Sequence, residues 1–118
     1  TNIQDGSVLH VSYAKPPVTD GAQLHVGDEV TVGHKVLLHG CRIGNQCLIG
    51  MGSIVMDNAV IEDQVMLGSG SLVPPGKCLE SGFLYLGSPA KKIRALTDAE
   101  KVNLVTSATH YVSLKNRY

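Results

Sequence analysis

The sequence predicts an all-β protein: a left-handed parallel β-helix shaped as a triangular prism, followed by one C-terminal α-helix. Three features predict it. An aliphatic residue recurs about every sixth position, a small or β-branched residue follows four places later, and aromatic side chains are scarce. Between Val26 and Leu79 the aliphatic series runs Val26, Val32, Leu38, Ile43, Ile49, Val55, Ile61, Leu67, Val73, Leu79. One step, Leu38 to Ile43, spans five residues; the others span six. The companion series is Val30, Val36, Cys47, Ser53, Ala59, Val65, Ser71, and Ile3, Ser7 and Leu9 extend both upstream.

A period of six is neither helical nor simply alternating. It arises when a chain turns a corner every six residues around a three-sided prism. Three hexads then make a coil of about 18 residues, stacked on the next at about 4.8 Å. Large aliphatics fill the axis and small residues fit beside the corners. The Gly that often follows the aliphatic, as in Ile49-Gly50, is expected to help the backbone turn. Twelve hexads give about four coils. Apolar residues make up 43% of the chain but aromatics only 4%, as suits an interior too narrow for rings.

The prism is assigned residues 1–96. Within it, 12–23 carries Pro16, Pro17 and Gly21 and reads as a protruding loop. After Leu79 the six-residue phase dissolves through GFLYLGSPAKK. Thr97 as N-cap with Glu100 three residues later is a capping box, so residues 97–118 are assigned to a helix packed on the prism. Val102, Val105, Ala108, Thr109 and Val112 form the stripe expected against the wall.

Ten basic and ten acidic residues cancel, with no run of either sign, so no nucleic-acid or membrane-surface partner is expected. No apolar stretch approaches the roughly 18 residues of a membrane span. Three cysteines, an odd number without a CxxC pair, argue against a disulfide framework and for a reducing cytoplasm. Cys41 and Cys47 fall on or near the small inward positions and read as core filling. The chain opens Thr1-Asn2-Ile3 without Met, which suggests a piece of a longer protein.

Register singles out three histidines. His10 follows Leu9 and His39 follows Leu38, the same place in their hexads. Their 29-residue separation is one 18-residue coil plus the 11 extra residues of the loop. They should therefore share a face, one coil apart, close enough to share a zinc ion. His34 belongs to the preceding hexad and to another face. A closed threefold assembly would bring it from one subunit to His10 and His39 of the next. Three neutral imidazoles leave a fourth position for water, which bound zinc acidifies to supply hydroxide near pH 7. His25 and His110 lack this register and read as ordinary surface or packing residues.

The pattern Asn2-Ile3-Gln4-Asp5-Gly6-Ser7, Leu9-His10-Val11, Val32-Gly33-His34 and Leu38-His39-Gly40 resembles the gamma-class carbonic anhydrases. The tail Gly87-Ser88-Pro89-Ala90-Lys91-Lys92-Ile93-Arg94 is similar to that of the family's YrdA-like bacterial branch. The resemblance implies a homotrimer with zinc, or iron(II), at each interface and reversible hydration of CO2 to bicarbonate. It implies that His10 and His39 ligate from one subunit and His34 from its neighbour. It also implies that Gln4 orients the metal-bound water, that Asn2 and Asp5 support it, and that Tyr111 lies near the metal.

The sequence departs from the prototype where a Glu of the proton-exporting loop is expected, for Tyr13 stands there and Asp20 is the loop's one acid. Weak carbonic anhydrase activity, or another substrate at the same metal, is the corresponding expectation. Two other readings use the same repeat: a hexapeptide acyltransferase that binds coenzyme A with one His as general base, and a non-catalytic trimeric scaffold.

Overall fold

The computed structural model describes residues 1–11 and 23–115, with the backbone alone for 114 and 115. The expected loop at 12–23 lies outside the described residues except for Gln23. Twelve short strands form three parallel walls. The first wall stacks β1 (Asn2–Ile3), β4 (Thr31–Val32), β7 (Leu48–Ile49) and β10 (Met66–Leu67). The second stacks β2 (Val8–His10), β5 (Leu37–His39), β8 (Ile54–Val55) and β11 (Leu72–Val73). The third stacks β3 (His25–Val26), β6 (Arg42–Ile43), β9 (Val60–Ile61) and β12 (Cys78–Leu79). Chain order visits the walls in rotation, as in a parallel β-helix, and the six-residue repeat fits its left-handed form.

Two-residue strands leave one side chain pointing in and one out. The inward residues are the aliphatics of the six-residue series: Val32, Leu38, Ile49, Val55, Ile61, Leu67, Val73 and Leu79 are all fully buried. Their small companions Val30, Val36, Cys47, Ser53, Ala59, Val65 and Ser71 are buried with them. The two serine hydroxyls among them are satisfied, Ser53 Oγ donating to Gly68 O (3.2 Å) and Ser71 Oγ to the same carbonyl (2.6 Å).

The glycine expectation needs correcting. The corner is turned three residues after most of the aliphatics by a residue with positive φ: Glu29, Lys35, Gln46, Asn58 and Gln64 as well as Gly52 and Gly70; after Leu38, where the step is five, it is Gly40, two residues on. A non-glycine there costs about 1–2 kcal/mol. A hydrogen bond to another coil offsets part of it: Gln46 N–H donates to Asp28 O (2.8 Å) and Asn58 N–H to Gly40 O (2.9 Å). The Gly directly after the aliphatic serves instead for close approach. A Cβ on Gly50 would lie 2.5 Å from Ser69 N and 2.6 Å from Leu67 O.

Beyond Leu79 the chain continues in sheet. β13 (Phe83–Gly87) pairs in parallel with β10, and β14 (Ala90–Ala95) folds back antiparallel on β13, so the first wall ends in a hairpin. Tyr85 points into the core from β13, and its hydroxyl accepts Glu80 N–H (2.9 Å).

Helix α1 (Asp98–Lys115) lies against β1 and β4. Its capping box forms as expected, Thr97 N–H donating to Glu100 Oε1 (2.9 Å) and Glu100 N–H to Thr97 Oγ1 (3.1 Å). The expected packing stripe is rotated. Leu104 and Ala108 are buried, Val105 and Val112 half-buried, whereas Val102 is 63% exposed and Thr109 faces solvent. At the helix start Arg94 Nη1 and Nη2 grip Glu100 Oε1 and Oε2 at 2.6 and 2.8 Å.

Two outcomes test this account. Gly52→Ala meets open space at positive φ and should cost about 1 kcal/mol. Gly50→Ala must displace backbone and should cost about 3 kcal/mol or more, read from urea midpoints. Separately, the Arg94 guanidinium, helped by Thr97 N–H, holds the Glu100 carboxyl down at about 2. A depressed carboxylate stabilises above its usual value of 4.5 and loses that contribution as pH falls toward 2. Helical circular dichroism should therefore decline over that window, and Glu100→Gln should flatten the decline, less visibly in high salt because the pair is exposed.

Candidate metal site on two walls

His10 and His39 are direct register partners on β2 and β5. Their outward rings stack with centroids 4.6 Å apart and an interplanar angle of 19°. This is the arrangement the coil arithmetic requires. The five-residue step from Leu38 to Ile43 leaves it intact because the step falls after His39.

The surroundings of the pair are apolar. Register aligns Val8, Leu37, Ile54 and Leu72 in one column across the outside of the second wall. Val8 is 54% exposed, and Ile54 and Met56 are exposed beside His39. His39 and Asp57 border a shallow pocket of about 200 Å³ walled by Leu37, Ile54, Met56 and Pro75.

Asp57 is the residue that sequence reasoning missed. Its carboxylate is hydrogen-bonded to His39 Nδ1. The signal was present, since Asp57 stands 18 residues after His39, one full coil. A search confined to histidines passes over it.

The first wall carries a second group. Gln4, His34 and Tyr111 border one pocket of about 240 Å³, with Thr31, Met51 and Ser107. Gln4 follows β1, His34 follows β4, and Tyr111 comes from α1, so the packing of the helix on that wall assembles the pocket. Gln4 Nε2 donates to Asn2 Oδ1 (3.2 Å), and Asn2 Nδ2 donates to Thr31 Oγ1 (3.2 Å), which fixes the Gln4 amide. Asp5 is exposed at the following corner, where its carbonyl accepts Lys35 N–H (3.0 Å).

His34 thus sits on a different wall from His10 and His39. Among the described residues no group of three or more His, Cys, Asp or Glu lies close enough to hold a metal within one chain. Tyr13 and Asp20 are outside the described residues. His25 contacts Gln23 Oε1 (3.2 Å), and His110 meets Tyr111 edge-on at 5.6 Å. No helix is long and apolar enough to cross a membrane among the described residues.

The cysteines sort by depth. Burial pushes the Cys41 and Cys47 thiols up to about 11, while Cys78 is exposed on the third wall. At pH 8 a disulfide reagent should modify Cys78 quickly, and the other two only upon unfolding. Fast release of three equivalents per native chain would contradict this packing.

Comparison with known proteins agrees with the repeat. The family model for the bacterial transferase hexapeptide (six repeats) matches residues 40–75. The chain is 60% identical over 118 residues to Protein YrdA of Escherichia coli (strain K12), which covers 100% of this chain and 64% of YrdA. It is 41% identical over 116 residues to the mitochondrial gamma carbonic anhydrase 2 of Arabidopsis thaliana, covering 97% of this chain and 41% of that protein. Among solved structures, a hexapeptide transferase family protein from Anaplasma phagocytophilum superposes with a TM-score of 0.89 at 43% identity. That match covers 99% of this chain and 64% of the other. The chain therefore spans less than two thirds of the length of these relatives.

Proposed function

As a member of the hexapeptide-repeat proteins related to YrdA and the gamma-class carbonic anhydrases, the chain, we propose, works as a homotrimeric metalloenzyme that reversibly hydrates CO2. Each interface holds one zinc, or iron(II), between His10 and His39 of one subunit and His34 of the next. The observation that carries this reading is the stacked histidine pair in direct register on an apolar wall. Two neighbouring imidazoles cannot complete a site alone, and the third candidate ligand faces out from another wall of the same prism. A threefold axis reconciles both facts. It also gives the exposed Val8, Ile54 and Met56 a partner surface to cover them.

The donor set fits the metal. Three neutral imidazoles with one open position are the pattern of catalytic rather than structural zinc. When bound, zinc lowers the pKa of water to about 7 and thus supplies the nucleophile that CO2 needs at neutral pH. The chain's own residues do the rest. Gln4 has its amide nitrogen committed to Asn2, which leaves Oε1 to accept a hydrogen bond from water in the pocket it shares with His34 and Tyr111. Asp5 supports this corner. Turnover is slow, because Tyr13 stands where the prototype's loop carries a carboxylate. The three unpaired thiols suit a reducing cytoplasm.

Elemental analysis of anaerobically purified protein should give one metal per chain. His34→Ala should abolish that metal while the trimer persists. CO2 hydration by stopped flow should fall further than the about 10–100-fold typical of losing an outer partner of a ligand. Stoichiometric coenzyme A binding without any metal would transfer the protein to the acyltransferase reading.

A further inference from the structure

The His39–Asp57 pair does more than tie two coils together. An ionised carboxylate can only accept hydrogen bonds, so the bond to Asp57 requires that the proton sit on His39 Nδ1. In a neutral imidazole that leaves the lone pair on Nε2. Without such a partner both tautomers are available, and the one that carries its proton on Nε2 cannot ligate through that nitrogen. We infer that Asp57 is a positioning residue for the metal centre: its carboxylate holds His39 in the Nδ1–H tautomer and fixes the ring so that Nε2 is the ligating atom. This inference rests on the proposed metal site and adds to it an outer residue that no histidine pattern contains.

The placement is economical. His39 projects from the second wall just before the corner, and Asp57 stands one coil further along the axis, just past β8. Register puts Met56 level with His39 on the outer face, so Asp57 reaches back from the start of the next corner. On the other side His39 is stacked against His10. The ring is thus held on its face by one neighbour and at one nitrogen by the other, while about a third of the side chain stays exposed to a ligand. Carboxylates behind metal-bound histidines commonly contribute about 10- to 100-fold in metal affinity.

The test uses the full chain in its metal-free and zinc-loaded forms. Long-range nitrogen–proton correlation spectra of metal-free wild type should show His39 protonated at Nδ1. Finding the proton at Nε2 overturns the inference without any variant. Asp57→Asn keeps the shape of the side chain but can donate to Nδ1, which should shift His39 toward the Nε2–H form and weaken zinc binding by about 10- to 100-fold. Asp57→Glu should restore part of both. Cobalt-substituted wild type and Asp57→Asn should also differ in their visible spectra, which a merely structural role for Asp57 would leave alike. Unchanged tautomer and unchanged zinc affinity in Asp57→Asn overturn the role. A wild type that binds no zinc yet carries the proton at Nδ1 overturns the metal reading and leaves the tautomer assignment standing.

Discussion

The spacing between coils governs this molecule. Each strand lies about 4.8 Å from the one a coil away, so whatever occupies a position meets its counterpart roughly 18 residues on. In the interior this stacks aliphatic on aliphatic along three columns. At the corners it lets Gln64 Nε2 donate to Gln46 Oε1 (3.1 Å) one coil away, and it lets a positive-φ residue recover a hydrogen bond that its conformation would otherwise waste. At the surface it sets two imidazoles face to face at 4.6 Å. The same repeat that builds the core builds the candidate site.

Because the inward positions of the three walls are alike, the walls differ only in what they turn outward. The first is covered by α1 and ends in the β13–β14 hairpin. The third exposes His25, Arg42, Val60 and Cys78 on one column and Glu62 and Glu80 beside it. The second is the apolar one, and the histidine pair stands in it. A repeat protein whose interior is uniform can place chemistry only where this outward asymmetry puts it. The two halves of the candidate site lie on the first and second walls, which is why a neighbouring subunit enters the proposal.

Burial acts differently on the acids and thiols of the fold. Desolvation raises the thiols of Cys41 and Cys47 and keeps them unreactive as core residues. Glu100 is shifted the other way because it is exposed and gripped by Arg94, and its service is to seat the helix. The packing of α1 on the first wall has a consequence for the site, since it brings Tyr111 and Ser107 to the pocket that Gln4 and His34 border.

The sequence alone determined the period, and the period determined most else. Ile49, Val55, Ile61 and their kin are inward because only one phase of a six-residue repeat can face a narrow axis, and His10 and His39 share a face because coil length is fixed by that phase. The Thr97–Glu100 cap was legible for the same reason, as a local rule with local partners. Tertiary structure decided what depends on neighbours outside the repeat. The hairpin after Leu79 forms because β13 finds a strand edge on β10, although its own sequence has lost the phase. The helix buries Leu104 rather than Val102 because that is the face that meets β1 and β4, a contact with other elements. Gly50 is required by the backbone of the coil beside it rather than by its own turn. Asp57 becomes a partner of His39 only when 18 residues are wound into one coil, and that winding is where a list of side chains turns into a site.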